Sequence, residues 1–319
     1  MCPPPLPDAL HQPDHALIKA HAVLREGRYG DAATFLEEVV SSWARVLGEN
    51  HLDTLANKHL LGLVYYTLGR HAQAVTLFED VAVSRKRVLG DEHLDTLESC
   101  HLLSVIYFEL SRYSELAKAL EKVVVARREA LGSEHVYTLA SRHLLAQTYC
   151  ELGEHTKSTI LSAAVLASRK RVLGNDHVDT LKSKDLLALT YLKTGKAYPW
   201  AAVLLEEVAS SQSRALGEGH VDKLTSEHRL AEAYHHTGEN AEAAALLKGV
   251  AEKRERFLGS RHSDTLESQH LLATIYLALK QYVDASTILE RVVQARGELL
   301  GINNVDTLSS MRSLAHAYH

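Results

Sequence analysis

Cysteine is scarce in these 319 residues: Cys2, Cys100 and Cys150 are too few for a disulfide framework, which fits a reducing compartment. Large aromatics are scarce too. With 46% hydrophobic residues but only four Phe and two Trp, the core has to be built from Leu, Val and Ala, as in helical solenoids. Proline is nearly confined to the first 13 residues, which hold five of the six, so this stretch is expected to be a disordered lead-in. There is no surplus of basic charge. A net charge of −5, with Lys and Arg spread along the chain, gives no footprint for nucleic acid. Long apolar runs are missing as well, since the longest, near Ile160 to Ala167, is far too short to span a bilayer. The amino terminus has neither a basic n-region nor an apolar h-region of a signal peptide. These absences lead to the expectation of a soluble cytoplasmic protein.

What the chain has is period. A Leu-Gly pair ends at Gly48, Gly90, Gly132, Gly174, Gly217, Gly259 and Gly301, at intervals of 42 residues except for one of 43. A fixed spacing of this size means stacked supersecondary units, each burying its apolar side on its neighbours. After the Leu-Gly comes His-x-Asp-Thr-Leu, where Asp or Thr is suited to cap a helix start. A first helix of about sixteen residues is then expected, ending at Gly69, Ser111, Gly153, Gly195, Gly238 or Lys280. A second helix runs to the next Leu-Gly, whose glycine suits a left-handed helix end. From Asp14 to Leu47 the spacing already gives one such hairpin, and Asp306 to His319 is a lone helix suited to cap the seventh. The extra residue of the longer interval lies in Lys196-Ala197-Tyr198-Pro199-Trp200. There Pro199 suits a first helical turn and Trp200 reads as a packing plug.

Within each repeat the spacing Leu-Leu-Ala-x-x-Tyr-x-x-x-Gly, with Ala five residues on, is carried by Tyr65, Gly69 and Ala74 and by Tyr234, Gly238 and Ala243. It resembles a tetratricopeptide repeat. The longer period and the Leu-Gly-x-x-His-x-Asp-Thr-Leu linker resemble the kinesin-light-chain type, also found as arrays in fungal receptor-like proteins. The resemblance implies an all-α, right-handed superhelical solenoid of seven hairpins plus a C-terminal capping helix, forming one domain over residues 14–319. No GxxxxGK[ST] phosphate loop is present, so these residues are not expected to include the nucleotide-binding domain of the receptor-like proteins.

In that family the first helices line a concave groove, where paired Asn residues often grip the backbone of an extended peptide. This chain departs from the pattern at nearly every rung. The first Asn position holds His59, His101, His143, Asp185, His228 and His270, and the second holds Leu60, Leu102, Leu144, Leu186, Arg229 and Leu271. A wall of Leu and His favours an apolar or amphipathic ligand. Successive helices pack about 8–10 Å apart, whereas zinc needs ligands at about 2.0–2.1 Å, so no metal is expected across rungs. A separate linker series, His51, His93, His135, His177, His220 and His262, sits at helix entries and reads as structural.

The sixth repeat is chemically distinct. Lys223 replaces the capping Thr, Arg229 replaces Leu, and His228, Glu232 and His235 or His236 fall on one helical face. The preceding rung contributes Asp185. A carboxylate beside an imidazole in an apolar groove suits either ligand recognition or acid–base chemistry.

Two functions are therefore expected to compete. The first is a scaffold holding an extended or amphipathic partner segment through Leu contacts, His hydrogen bonds and the register set by Asp185, Arg229, Glu232 and His235. The alternative is a cofactor-independent enzyme for a hydrophobic small molecule, a cyclase, isomerase or lyase, with Glu232, His228, Asp185 and His235 moving protons. The scaffold requires an open trough. The enzyme requires a closed concavity around repeats four to six.

Overall fold

The computed structural model describes residues 11–217 and 219–319, and its regular structure is entirely helical among the described residues. The helices are α1 (His11–Arg25), α2 (Tyr29–Leu47), α3 (Leu52–Thr67), α4 (His71–Leu89), α5 (Leu94–Glu109), α6 (Tyr113–Leu131), α7 (Val136–Glu151) and α8 (His155–Leu173). They continue as α9 (Val178–Thr194), α10 (Tyr198–Ala215), α11 (Val221–Thr237), α12 (Asn240–Leu258), α13 (Ser263–Ala278), α14 (Tyr282–Leu300) and α15 (Val305–Ala317). Helix α1 starts at His11, inside the expected 1–13 lead-in, and residues 1–10 lie outside the described residues. Among the described residues no helix is long and apolar enough to cross a membrane.

Two compact units form, Met1–Lys157 and Ser158–His319. In the first, α1 packs on α2, α3 on α4 and α5 on α6, and each second helix also packs on the first helix that follows it. In the second unit the pairs are α9/α10, α11/α12 and α13/α14, and α15 rests on α14 and α13. Helices α2, α4, α6, α10, α12 and α14 carry a small or apolar residue, Leu or Phe, and Val at i, i+4 and i+7, which places three side chains on one stripe, and α8 has Ser158, Ser162 and Val165 there. Ala74, Phe78 and Val81 on α4, and Ala285, Leu289 and Val292 on α14, have no exposed surface at all. Bulk on one helix is matched by its lack on the other. A Cβ added at Gly62 on α3 would sit 3.0 Å from the Phe78 ring, and the same repeat position is Ser104, Ala188, Ala231 and Ala273 elsewhere, all buried.

Two local expectations are corrected. The helix starts are capped by histidine, not by Asp or Thr. The Nδ1 atoms of His51, His93, His177, His220 and His262 accept from the backbone N–H two residues on, at 3.1–3.3 Å, and Asn304 does the same at 2.9 Å before α15. The threonines are instead packed beneath the helix start, Thr54, Thr180 and Thr265 without exposure. The Leu-Gly glycines are not left-handed either. Gly48, Gly90 and Gly259 have φ of 95–97° and ψ of 157–166°, an extended region that essentially only glycine enters. The left-handed residues lie at the other turn, where Ser111 and Lys280 hold φ of 57° and 60° without being glycine.

The one-residue insertion is absorbed where expected. Gly195 ends α9 and Ala197 caps α10, so Lys196 is accommodated in the turn and both helices persist. Trp200 is no packing plug. It is 69% exposed on the outer side of α10.

Candidate functional site

The imidazole series on the first helices is not a free lining. Five second helices, α4, α6, α8, α12 and α14, each send an arginine into the seam beside the following first helix, and there it meets a serine fourteen residues later in sequence. Arg85, Arg127, Arg169, Arg254 and Arg296 donate through Nη1 to Ser99, Ser141, Ser183, Ser268 and Ser310 at 2.6–2.8 Å. The same Nη1 atoms reach the backbone carbonyl ten residues on, that of Asp95, Tyr137, Asp179, Asp264 or Asp306, at 2.8–3.1 Å. The ladder histidines close this node from the preceding first helix. His59 Nδ1 is 3.3 Å from Ser99 Oγ, His101 Nδ1 is 3.4 Å from Ser141 Oγ, and His228 Nδ1 is 3.2 Å from Ser268 Oγ.

This placement fixes the protonation of the imidazoles. Burial, reinforced by the adjacent guanidinium, pushes His59 and His101 down to about 4 and His228 to about 3. His270 is also held near 4 by burial and Arg296. All four are neutral near pH 7. Among the described residues His270 Nδ1 has no hydrogen-bond partner, and His143 lies half-buried on α7. Leu144 and Leu186 are buried and support the stack, whereas Leu102 stays half-exposed.

Asp185 and Arg229 make one rung different. Asp185 Oδ1 accepts from Ser226 Oγ at 3.1 Å, the contact that histidine makes elsewhere. Its Oδ2 pairs with Arg229 Nη1. Where the other nodes have arginine this one has Gln212, buried and with Oε1 unpartnered among the described residues. Glu232, one turn beyond Arg229, makes no hydrogen bond to another described residue. Burial and the neighbouring Glu267 raise its carboxyl above the usual range.

The groups an acid–base pair would need are not assembled. His228 is buried with Nδ1 on Ser268, and His235 is held by Asn240 Oδ1 at 2.6 Å. His236 stacks on Tyr198 with ring centroids 4.1 Å apart. A cavity of about 330 Å³ in the second unit is lined by Glu255, Arg261, Gln269, Arg291 and Glu298, away from Asp185, His228 and Glu232. Among the described residues no group of three His, Cys, Asp or Glu gathers as metal ligands.

The Arg–Ser nodes and a second recurrent bond escaped the sequence reading. Tyr65, Tyr149, Tyr234 and Tyr318 donate to Glu37, Glu121, Glu206 and Glu290, each 28 residues earlier, at 2.6–2.8 Å. Both sets recur at the repeat period, so the signal was present in the Arg and Glu columns.

Comparison with known proteins agrees with this architecture. Tetratricopeptide repeat models match residues 15–82 and 222–296, and a second such model matches 96–137 and 138–179. The crystal structure of nearly identical TPR-like repeats of a kinesin light chain from Podosopora anserina is 35% identical, covering 65% of this chain and 98% of that one, with a TM-score of 0.56. A tetratricopeptide repeat protein from Parabacteroides merdae aligns over 97% of this chain and 100% of its own at 13% identity and a TM-score of 0.62, a likeness of fold. No curated protein matches the chain. The linker, the period and these matches together place the chain in the tetratricopeptide repeat family, as a member of the kinesin-light-chain type.

Proposed function

We propose that the chain is a non-catalytic interaction scaffold whose first-helix faces hold an extended or amphipathic segment of a partner protein. The carrying observation is the row Leu60, Leu63, Leu102, Val105 and Phe108 on α3 and α5, apolar side chains left half-buried on one face of the first unit. A soluble fold leaves such a contiguous apolar row open where something covers it. Covering it contributes roughly 25 cal/mol per Å² of apolar surface.

The second unit offers a different station. Leu189 on α9 and Glu232 on α11 stand at the position of Leu63 and Val105, Arg229 at that of Leu60 and Leu102, and Asp185 at that of His59 and His101. Asp185 and Arg229 neutralise one another, so Glu232 is left to accept hydrogen bonds from the partner and to set its register. The neutral imidazoles of His59 and His101 have Nδ1 engaged on the serine nodes, which leaves Nε2 as the atom for a partner carbonyl.

Selection of a displayed random-peptide library on the full chain tests the proposal. Enriched peptides are expected to share regularly spaced apolar residues, to lose at least about tenfold in affinity against a Leu102→Gln variant, and to lose less against Glu232→Gln. Melting temperatures confirm that both variants fold. No enrichment, or peptides indifferent to both substitutions, would reject it.

A further inference from the structure

The cavity of about 330 Å³ in the second unit stands at a repeat position whose chemistry has been rewritten. In the hairpin α3/α4 this place is filled by the buried Lys58, held by Glu49 of the linker at 2.7 Å and by Asp80 of α4 at 2.6 Å. In α9/α10 it is filled by the buried Lys184, 2.8 Å from Glu207. In α13/α14 the positions of Lys58, Glu49 and Asp80 hold Gln269, Ser260 and Arg291, and all three line the cavity. The lysine that fills the space elsewhere is gone, and the carboxylate that faces it has become a guanidinium.

The charges around the cavity do not cancel where they stand. Arg261 pairs with Glu298 at 2.6 Å, and Gln294 donates to the same carboxylate at 3.1 Å. Glu255 accepts from the Gln269 amide at 3.3 Å and meets no cation among the described residues. Arg291 makes no hydrogen bond or ion pair with another described residue. One cation and one anion thus line the same cavity without meeting each other. The apolar part of the lining is Leu266, 3% exposed, and the half-buried Ala295.

We propose that this cavity binds a free aliphatic α-amino acid, with its carboxylate on Arg291, its ammonium on Glu255 and its side chain against Leu266 and Ala295. The planar fork of an arginine matches a carboxylate through two parallel hydrogen bonds. A simple anion would satisfy Arg291 but face Glu255 and Glu298. A simple cation would satisfy Glu255 but face Arg291 and Arg261. A small ligand carrying both signs suits the whole lining, and the volume lies at the lower end of the roughly 300–1,000 Å³ of ligand pockets. The site shares no residue with the first-helix rows and does not depend on the function proposed for them.

Calorimetric titration of the full chain with L-alanine, L-valine and L-leucine tests the site. Saturable binding of at least one is expected. For that amino acid, the N-acetyl derivative, which loses the ammonium, and the amide, which loses the carboxylate, should each bind at least about tenfold more weakly. Arg291→Gln should weaken the amino acid about tenfold while leaving its amide unaffected, and Glu255→Gln should weaken it while leaving the N-acetyl derivative unaffected. Melting temperatures of both variants, measured without ligand, should stay near that of the parent, because both side chains are exposed and neither is in an ion pair. No saturable binding of any of the three at millimolar concentration overturns the proposal. So does equal binding of the blocked derivatives, or binding indifferent to Arg291→Gln.

Discussion

The guanidinium of Arg229 on α11 donates to the carboxylate of Asp185 on α9, and neither charge has a counterpart at the same position in the other described hairpins. At the rungs of His59, His101, His228 and His270 a neutral histidine lies beside a buried arginine. Here the histidine has become Asp185, the arginine has become Gln212, and the positive charge has moved to Arg229 on the first-helix face. Three separate sequence changes thus amount to one relocated cation.

The relocation predicts a coupled thermodynamic cycle. Arg229→Leu, which restores the usual residue, should destabilise the chain by about 1–3 kcal/mol by leaving a half-buried carboxylate uncompensated. Asp185→His combined with Arg229→Leu should recover most of that loss, and adding Gln212→Arg should recover more. Urea unfolding of the single, double and triple variants measures the coupling. Strict additivity would show that the three positions act independently.

Acid should weaken the stack through the ladder. His59, His101 and His270 have folded values near 4, below the ordinary 6.5, so the unfolded chain takes up protons first. Stability is full above 6.5 and is lost as pH falls from there towards about 4. Denaturant midpoints at about pH 7 and about pH 5 should differ, and less so in a His101→Gln variant. Equal pH slopes for the two proteins would contradict a neutral buried His101.

The serine nodes should be individually measurable. Ser268→Ala removes the hydroxyl shared by Arg254 and His228, and should cost about 1–3 kcal/mol by leaving buried polar atoms unmatched. Thr287→Ala on the exposed side of α14 should change stability by less than about 0.5 kcal/mol. Thermal melts of both variants make the comparison.

Two turns can be improved. Ser111 and Lys280 hold left-handed backbone, which costs a side-chain-bearing residue about 1–2 kcal/mol. Glycine brings back part of that as unfolded-state entropy. Ser111→Gly and Lys280→Gly should therefore each raise stability by about 0.5–1 kcal/mol, visible as a higher melting temperature.

Much of this was legible in sequence. The 42-residue period announced the hairpins because an identical apolar stripe must meet an identical neighbour at every step. The relation between Gly62 and Phe78 could also have been suspected, since size trades across a packed seam. The role of the ladder histidines was not legible. In sequence they stand out only as departures from the Asn pattern, whereas their partners are serines 40 residues away and the arginines of the intervening second helices. Trp200 misled for a related reason, because a large aromatic in an insertion gives no sign of which side of the helix it faces.

Sequence alone determined the repeat, the order of the helices and the turns between them, because these depend on spacing and on turn chemistry within a few residues. Tertiary structure decided which nitrogen of His59, His101 and His228 is occupied and where the displaced cation of the Asp185 rung went. Those outcomes depend on atoms brought within about 3 Å from positions tens of residues apart, and a repeat period says which residues recur but not which of them meet.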